Sequence, residues 1–384
     1  RSSLVGAREK LALTYVAMQD YDAAMAQYDA ILDVAQVRAY RARIGHQAAE
    51  TLILSGQTDA GYNRHLQIVE TYPDQYYAYL SLVELVEAGR SPDDFLRGKV
   101  DYYAEAYAPA VQALYRYINA YPETHSGDAH WYIGLSYLEA GSPGLAVGEF
   151  DMLIETHPDN RYVGDAWMAK AEAYIAQDAA DTAIRIYDTF VETMPDHPRA
   201  PEALWRAAKL MERAGDLEAA AQGYMDCHVQ YPDADYAPAA LFRSGLQSYR
   251  LETLTEAAVA WDTLAELYPA SGYRPAARLW LGKVRLAQND PIAAQKAFSD
   301  AVASDPFGYY GLRAADLSQD PDASIFLPSR FVPASYNEAQ ARAEAEAWLA
   351  DWLALEETAN LGALSPALAS DPRLQRGLEL WRLG

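Results

Sequence analysis

The residues best suited to metal binding or nucleophilic chemistry are seven histidines and a single cysteine. Imidazole and thiolate groups bind zinc-class metals, and both act as nucleophiles or bases when a neighbouring group activates them. The histidines are His46, His65, His125, His130, His157, His197 and His228. We assign none of them to a helical i,i+4 pair with a carboxylate or cysteine. The sequence therefore predicts no metal site and no cofactor.

Three of these residues have structural interpretations. His157 directly precedes a proline and His197 lies between two prolines, so both are expected in turns. Cys227 occupies a repeat position that is small or apolar elsewhere, so we expect a packed hydrophobe rather than a nucleophile. The matching residues are Leu153, Phe190, Leu264 and Ala301. A single cysteine also excludes an intrachain disulfide.

Large aromatic residues are the strongest candidates for a binding site. Trp131, Trp205 and Phe242 lie at matching repeat positions, with Trp167 and Trp280 one position off. Such rings either stack on sugar rings and apolar peptides or fill the seam between successive repeats. Tyr309 and Tyr310 form a second aromatic pair, with a structural role as the alternative. The predicted ligand-binding residues are Trp131, Trp205, Phe242, Tyr309 and Tyr310; no catalytic residue is predicted.

Regularly spaced prolines mark the elements that position these residues. Pro158, Pro195, Pro232, Pro269 and Pro306 are 37 residues apart, and Pro122 precedes the first of them by 36. Between them, apolar residues recur at three- and four-residue spacing, which is typical of amphipathic helices, and no stretch alternates as a strand would. Each interval therefore predicts two helices, the second of which ends at the proline.

Small residues and rings recur at matching places in these intervals. The first helices carry Gly134, Ala171 and Ala208. The second helices carry a small residue and, four positions later, a ring: Ala146 and Phe150, Ala183 and Tyr187, Ala220 and Tyr224, Ala257 and Trp261, Ala294 and Phe298. Small residues where helices cross, with rings on the same face, are typical of close helix packing.

The chain before Pro122 contains two further helix pairs and an irregular unit. Residues 7–35 and 38–73 are predicted helix pairs, with Asp20 as an N-cap in the first. The interval from Pro73 to Pro122 is 49 residues long, so we expect an extra helix in residues 75–122. Ser91 and Pro92 are predicted as the N-cap and first-turn proline of that helix.

The charge balance limits the classes of partner. A formal net charge of −23 repels nucleic acid and anionic lipid, so neither is an expected partner. No apolar run approaches the roughly 18 to 20 residues that span a bilayer, so no membrane insertion is expected. Arg1 is not a natural start, and we expect this chain to be a piece of a longer protein.

The repeat pattern resembles the tetratricopeptide repeat over residues 7–306, with a period about three residues longer than the family's 34. The resemblance implies an all-α fold, a right-handed α-solenoid of about eight helix pairs spanning residues 1–316, with first helices lining its concave side. A linker at 317–337 and a helical segment at 338–384 are expected to follow. The Tyr-Pro-Asp repeat ends are similar to those of bacterial envelope proteins, namely a lipoprotein of the outer-membrane β-barrel assembly machine and the coordinator of the Tol–Pal system.

Two closing stretches add a finer resemblance. Tyr309-Tyr310-Gly311-Leu312, followed by Arg313-Ala314-Ala315, and the Asp371-Pro372-Arg373-Leu374 stretch that leads to Gly384 are similar to the non-catalytic part of soluble lytic transglycosylases. In that family a catalytic Glu is followed by Ser. This sequence contains no Glu-Ser dipeptide, so no catalytic residue is carried over. Either the catalytic domain follows Gly384 or the protein never had one.

The expected function is a non-catalytic scaffold of a peptidoglycan lytic transglycosylase, which frames glycan strands or peptides for its own catalytic domain outside this chain. Tyr309 and Tyr310 would support the array where it meets that domain. The alternative is an adaptor of the bacterial cell envelope that binds protein partners along its concave face. A regulatory repeat protein of the cytoplasm is a third interpretation. The first two imply a periplasmic or other extracytoplasmic location.

Overall fold

The computed structural model describes residues 2–319, the short stretches 339–340, 343–345 and 347–348, and residue 375. Residues 2–319 form eighteen helices and no strand, which confirms the all-α prediction. The chain divides into two compact units, Arg1–Gln319 and Asp320–Gly384. The helix that begins at Tyr309 continues to Gln319, into the predicted linker at 317–337. The rest of that linker and most of the predicted segment 338–384 lie outside the described residues.

The helices follow one another with short connections. Their bounds are α1 (Ser2–Ala17), α2 (Tyr21–Leu32), α3 (Arg38–Leu54), α4 (Thr58–Thr71), α5 (Tyr76–Glu87), α6 (Asp94–Tyr103), α7 (Tyr107–Ala120), α8 (Asp128–Glu139), α9 (Pro143–Thr156), α10 (Val163–Ile175), α11 (Ala180–Thr193), α12 (Ala200–Ala214), α13 (Leu217–Gln230), α14 (Ala237–Arg250), α15 (Leu254–Leu267), α16 (Arg274–Ala287), α17 (Pro291–Ser304) and α18 (Tyr309–Gln319). Among the described helices, none is both long enough and apolar enough to cross a membrane.

Sixteen of these helices form eight consecutive pairs. The pairs are α1–α2, α3–α4, α6–α7, α8–α9, α10–α11, α12–α13, α14–α15 and α16–α17. The helix α5 has no partner of its own and packs on α3 and α4, so the interval 75–122 holds three helices. Each pair packs on its neighbours in sequence, which is the architecture of an α-solenoid.

Each pair is held by a small residue in the first helix and a large one 16 positions later in the second. A Cβ added at Gly134 would lie 2.5 Å from the Phe150 ring, so glycine is required for this approach. Glycine faces Phe or Trp in Gly134–Phe150, Gly245–Trp261 and Gly282–Phe298, whereas alanine faces Tyr in Ala12–Tyr28, Ala171–Tyr187 and Ala208–Tyr224. All of these rings are buried, and the predicted close packing at these positions is confirmed.

The connection inside each pair contains one residue with a left-handed backbone. It is glycine in some repeats, such as Gly215 with φ of 84°, and a larger residue in others, such as Glu252 with φ of 62°. In three pairs the second helix then begins with a capping aspartate, namely Asp20, Asp216 or Asp290. Asp20 accepts from Ala23 N at 3.2 Å, which confirms the predicted N-cap. The predicted cap at Ser91 is wrong: Asp93 caps α6 instead, because its carboxylate reaches Leu96 N at 2.9 Å.

Two of the residues before the regularly spaced prolines, Tyr231 and Tyr268, link one repeat to the previous one. The Tyr231 hydroxyl donates to the Pro195 carbonyl at 2.9 Å, and the Tyr268 hydroxyl donates to the Pro232 carbonyl at 2.6 Å. A carbonyl at the end of a helix has no partner in its own helix and needs one from elsewhere. The 37-residue interval therefore places each donor next to the repeat end that precedes it.

Candidate functional site

The predicted aromatic residues Trp131, Trp205 and Phe242 lie at the seams between repeats. Each is half-buried and contacts the tyrosine that caps the first helix of the following repeat. Ring centroids are 5.1 Å apart for Trp131–Tyr162, 5.9 Å for Trp205–Tyr236 and 5.4 Å for Phe242–Tyr273. These contacts agree with the alternative that the rings fill the seams between repeats. Each ring is also partly exposed, so part of its surface could contact a ligand. Their role in ligand binding stays a prediction.

Trp167 and Trp280, which lie one position off the shared repeat position, have different surroundings from the other three rings. Trp167 is buried and stacks on Phe190 with centroids 6.0 Å apart. Trp280 is half-buried and lies 5.7 Å from the Trp261 ring and 5.3 Å from the Tyr249 ring. Trp167 therefore contacts a ring of its own pair, whereas Trp280 contacts rings of the preceding pair α14–α15.

Cationic side chains cover the aromatic residues of the first helices. The distances from charged group to ring centroid are 5.3 Å for Lys170 and Trp167, 5.6 Å for Arg243 and Trp205, and 3.9 Å for Lys283 and Trp280. A cation within about 6 Å of a ring face is attracted by the ring quadrupole. Aromatic and cationic groups thus alternate along α10, α12, α14 and α16, an arrangement that the sequence analysis missed.

Charge is segregated between the two helices in the three pairs α12–α13, α14–α15 and α16–α17. The first helices α12, α14 and α16 contain nine Lys or Arg residues and two Glu, a net charge of +7. The second helices α13, α15 and α17 contain one Lys and six acidic residues, a net charge of −5. In a chain of net charge −23, this set of first helices is a local cationic surface. This difference in net charge can be counted from the sequence once the helix boundaries are known.

Some of these cations have carboxylate partners and others do not. Arg206 pairs with Glu172 and Glu202, and Arg243 with Glu212 at 2.9 Å. Within residues 2–319, six cations of α12, α14 and α16 have no carboxylate within ion-pair distance: Lys209, Arg213, Arg250, Arg274, Lys283 and Arg285. Burial and, secondly, the nearby Arg313 lower the pKa of Lys283. An incoming anion would therefore find unneutralised positive charge.

An open cavity of about 330 Å³ lies on this surface. Its lining combines the Trp205 and Tyr236 rings with the cations Arg206, Lys209 and Arg213. A larger cavity of about 950 Å³ lies among α13, α14 and α15, and its lining includes Met225, Leu251 and Val259 but no Lys or Arg. Of these two cavities, the first is the one that offers both rings and positive charge. We define the cationic–aromatic face as Trp205, Lys209, Arg213, Arg243, Trp280 and Lys283.

Tyr309 and Tyr310 open the helix α18, which packs on α16 and α17. Their rings contact each other at 5.2 Å, and Tyr309 is 65% exposed. A Cβ on Gly311 would collide with the Asp305 carbonyl at the end of α17. This explains why the tyrosines are followed by glycine. The pair lies one helix beyond the cationic–aromatic face, and its ligand role stays a prediction.

A histidine cluster corrects the sequence analysis. His46 and Glu50 are an i,i+4 pair on α3, so the statement that no histidine has such a partner is wrong. His65 of α4 joins them: one possible metal-ligand atom from each residue lies within 4.8 Å of the other two. The i,i+4 spacing was a sufficient signal for the first two residues. The third became visible only when α4 was packed on α3.

The structural predictions for His157, His197 and Cys227 are confirmed. His157 forms the C-cap of α9, and His197 lies in the turn before α12. Cys227 is fully buried, and burial raises the pKa of its thiol to about 12. A thiol with so high a pKa is almost entirely protonated at neutral pH and is a poor nucleophile. Cys227 is therefore a packed hydrophobic residue, as its repeat position predicts.

The chain contains tetratricopeptide repeats. The family model described as tetratricopeptide repeat matches residues 128–160 and 202–234, which correspond to α8–α9 and α12–α13. This agrees with the helical solenoid and confirms the coarser part of the predicted resemblance. No comparison links the chain to a lytic transglycosylase, and no curated protein matches it.

Several solved structures resemble the chain at low identity. A chain of the Naa15/Naa10 complex bound to HypK-THB is 16% identical, with 90% of this chain and 46% of that chain covered and a TM-score of 0.41. The C-terminal part of a TPR repeat-containing protein from Cytophaga hutchinsonii is 12% identical, covering 70% and 98%, with a TM-score of 0.44. YrrB, a TPR protein with an unusual peptide-binding site, is 13% identical, covering 54% and 100%, with a TM-score of 0.36.

The chain spans just under half the length of the first of these proteins, 46%. At these identities and scores, the likeness does not extend to what those proteins bind.

Proposed function

We propose that this chain is an interaction scaffold that binds an acidic segment of a protein partner on its cationic–aromatic face. The observation that carries the proposal is the segregation of charge: +7 on α12, α14 and α16 in a chain of −23. Random scatter of charge would leave these helices acidic like the rest of the molecule. Tetratricopeptide repeats form an extended surface that suits a peptide or a protein loop.

Two physical contributions would act together at this surface. The unpaired ammonium and guanidinium groups attract carboxylates over distances of about a Debye length, roughly 8 to 10 Å at physiological salt. The partly exposed rings of Trp205 and Trp280 offer apolar contact area beside those charges. Electrostatic complementarity mainly sets the association rate and the choice of partner, while the buried rings supply affinity. The favoured ligand is therefore a peptide with alternating acidic and apolar residues.

A labelled peptide tests this proposal directly. The probe is a fluorescein-labelled 12-residue peptide that alternates Glu with Leu or Phe, compared with a Lys-containing peptide of the same pattern. We expect fluorescence anisotropy to show binding of the acidic peptide only. The double variant Lys209→Glu/Lys283→Glu should weaken binding by about tenfold or more, or about 1.4 kcal/mol.

The matched control for the single variant Lys283→Glu is Lys296→Glu, which makes the same charge change on the exposed side of the second helix α17. It should leave the affinity for the acidic peptide within about twofold. Equal weakening by both variants would mean that net charge alone governs binding, and the proposal for this face would then be abandoned.

A second candidate function is the scaffold of a peptidoglycan lytic transglycosylase. It rests on the sequence stretches 309–315 and 371–384 and carries with it an extracytoplasmic location. Sedimentation of the purified chain with peptidoglycan sacculi tests peptidoglycan binding, and an alkaline phosphatase fusion to the parent protein tests the extracytoplasmic location. Co-sedimentation that resists competition by the acidic peptide would favour this function; a chain that stays in the supernatant would count against it.

A further inference from the structure

In the second repeat, histidines occupy both positions that hold aromatic rings in other repeats. His65 lies 16 residues after Ala49, as Tyr28, Tyr187 and Tyr224 lie 16 residues after Ala12, Ala171 and Ala208. His46 lies three residues before Ala49, as Trp131, Trp205 and Phe242 lie three residues before Gly134, Ala208 and Gly245. If packing were the only requirement, the Tyr, Trp or Phe rings of the other repeats would be sufficient at these two positions. Two imidazoles at one crossing therefore call for a chemical explanation.

The two histidines are linked through a buried serine and a carboxylate. His65 is fully buried, and its Nε2 lies 3.1 Å from Glu50 Oε1. The Nδ1 atoms of His65 and His46 both lie 3.0 Å from Ser81 Oγ of α5. A hydroxyl oxygen has two lone pairs and can accept from both Nδ1–H groups, which would leave each Nε2 free for a metal ion, so a single serine orients both imidazoles.

This set of donor atoms has the spacing and composition of a transition-metal site. Ligands about 2.0 to 2.1 Å from a tetrahedral zinc ion lie about 3.3 Å from each other, close to the His65–Glu50 distance of 3.1 Å. Two imidazoles and one carboxylate form a ligand set that suits zinc and similar divalent ions and leaves a further coordination position. Glu50 is 43% exposed, so that position is accessible from solvent.

The electrostatic surroundings also favour a cation. Glu84 of α5 faces the same cluster; burial and then repulsion from Glu50 raise the pKa of its carboxyl. Burial, and then the charge of neighbouring His65, lower the pKa of His46 to about 4, so its imidazole is neutral and has a free electron pair at neutral pH. A divalent ion bound at Glu50 would offset its repulsion with Glu84 and would find the His46 ring unprotonated.

We propose that His46, Glu50 and His65 form a binding site for a divalent transition-metal ion of the zinc class. Ser81 is the orienting residue that holds both rings. All three ligands come from the α3–α4 pair, and the unpaired helix α5 contributes Ser81, which hydrogen-bonds to both rings. The inference is independent of the proposed peptide-binding function, since these residues are on different repeats from the cationic–aromatic face.

In a second histidine cluster the rings are close together, but their possible ligand atoms are not brought as close as those of the His46 cluster. His125, His130 and His157 have ring centroids 5.0 to 6.0 Å apart. Among the described residues, only the His46 cluster brings three candidate donor atoms within 4.8 Å of one another. The second cluster therefore supplies the control for non-specific histidine–metal contacts.

Zinc titration of the full chain tests the proposal. After dialysis against a chelator, isothermal titration with ZnCl₂ should show one tight site per chain, with no comparable binding of CaCl₂ or MgCl₂. His65→Tyr restores the residue that faces alanine in three other repeats, so it should fold and lose the site. Glu50→Gln, at a half-exposed position, should also abolish tight binding. Ser81→Ala should weaken binding by about 10- to 100-fold.

The control variant is His157→Gln, which removes one imidazole from the second cluster and should leave zinc affinity unchanged. Circular dichroism establishes that each variant is folded. Zinc should also raise the melting temperature of the parent chain and not that of His65→Tyr. The proposal is wrong if the parent chain binds no zinc at micromolar concentration, or if binding survives in both His65→Tyr and Glu50→Gln.

Discussion

At the scale of single residues, tyrosine hydroxyls account for part of the repeat pattern. Tyr231 and Tyr268 each bind the carbonyl of the proline that ends the previous repeat. The hydroxyl of Tyr268 also meets His228 Nδ1 at 2.9 Å. At these two positions the tyrosine ring packs in the structure and its hydroxyl also supplies a hydrogen bond that joins consecutive repeats.

Removal of one such hydroxyl should be measurable. We expect Tyr268→Phe to lower the free energy of unfolding by about 1 kcal/mol, because the Pro232 carbonyl loses its donor. Tyr121→Phe is the matched control, because Tyr121 also precedes a proline and its hydroxyl has no hydrogen bond within residues 2–319. Urea unfolding monitored by circular dichroism should show no change beyond about 0.5 kcal/mol for the control. Equal losses in the two variants would contradict this role.

The depressed pKa of His46 predicts a pH dependence of stability. Its folded pKa is about 4 and its unfolded value 6.5, so between these values the unfolded chain binds the proton that the folded chain excludes. The stabilising contribution is therefore present above pH 6.5 and is lost as the pH falls towards 4. Because the ring keeps some contact with solvent, we expect a loss of about 1 kcal/mol at pH 5 relative to pH 7.

His46→Trp isolates this contribution, because tryptophan occupies the matching position in two other repeats. The difference in unfolding free energy between the parent chain and this variant, measured with a chelator present, should shift by the same amount between pH 7 and pH 5. A constant difference across this range would show that His46 titrates normally in the folded chain.

At the scale of the elements, the closeness of the two helices in a pair depends on glycine. Gly134→Ala places a Cβ against the Phe150 ring and should destabilise the chain by about 1 to 3 kcal/mol. Gly148→Ala, in the partner helix α9, is the opposite case, because no atom lies within 4 Å of the added Cβ. It should stabilise the chain by about 0.5 to 1 kcal/mol through helix propensity. Thermal or urea unfolding of the two variants should therefore give opposite signs.

The connections inside the pairs allow a similar test. Glu252 has a left-handed backbone at the repeat position where Gly215 lies in the previous repeat. Glu252→Gly should stabilise the chain by about 0.5 to 1 kcal/mol, because glycine adopts this conformation without strain. Gly215→Ala should destabilise it by a similar amount. The reverse signs in urea unfolding, with Glu252→Gly destabilising and Gly215→Ala stabilising, would mean that helix propensity rather than the turn governs this position.

At the scale of the whole molecule, charge acts in two opposite ways. A net charge of −23 makes the folded chain repel itself, while the first helices α12, α14 and α16 attract anions. Raising the NaCl concentration from 20 to 300 mM should therefore raise the urea midpoint and weaken acidic-peptide binding in the same buffer. Peptide binding that strengthens with salt would contradict an electrostatic role for the cationic–aromatic face.

The sequence by itself determined the all-α class, the repeat interval, the Asp20 cap and the small residues at helix crossings. These features depend on periodicity and on residues a few positions apart, which are properties of the chain read locally. The predicted Ser91 cap failed because serine and aspartate two residues apart are equally suitable, and only the course of the backbone selects one.

Only the tertiary structure decided which distant side chains meet. His65 reaches Glu50 and Ser81 because α4 packs between α3 and α5, and no spacing in the sequence specifies that contact. The same holds for Trp131, Trp205 and Phe242, whose repeat positions were evident but whose contacts with the next repeat's tyrosines depend on how neighbouring pairs stack. Helix formation is encoded along the chain, whereas a binding surface depends on the faces that packing leaves exposed.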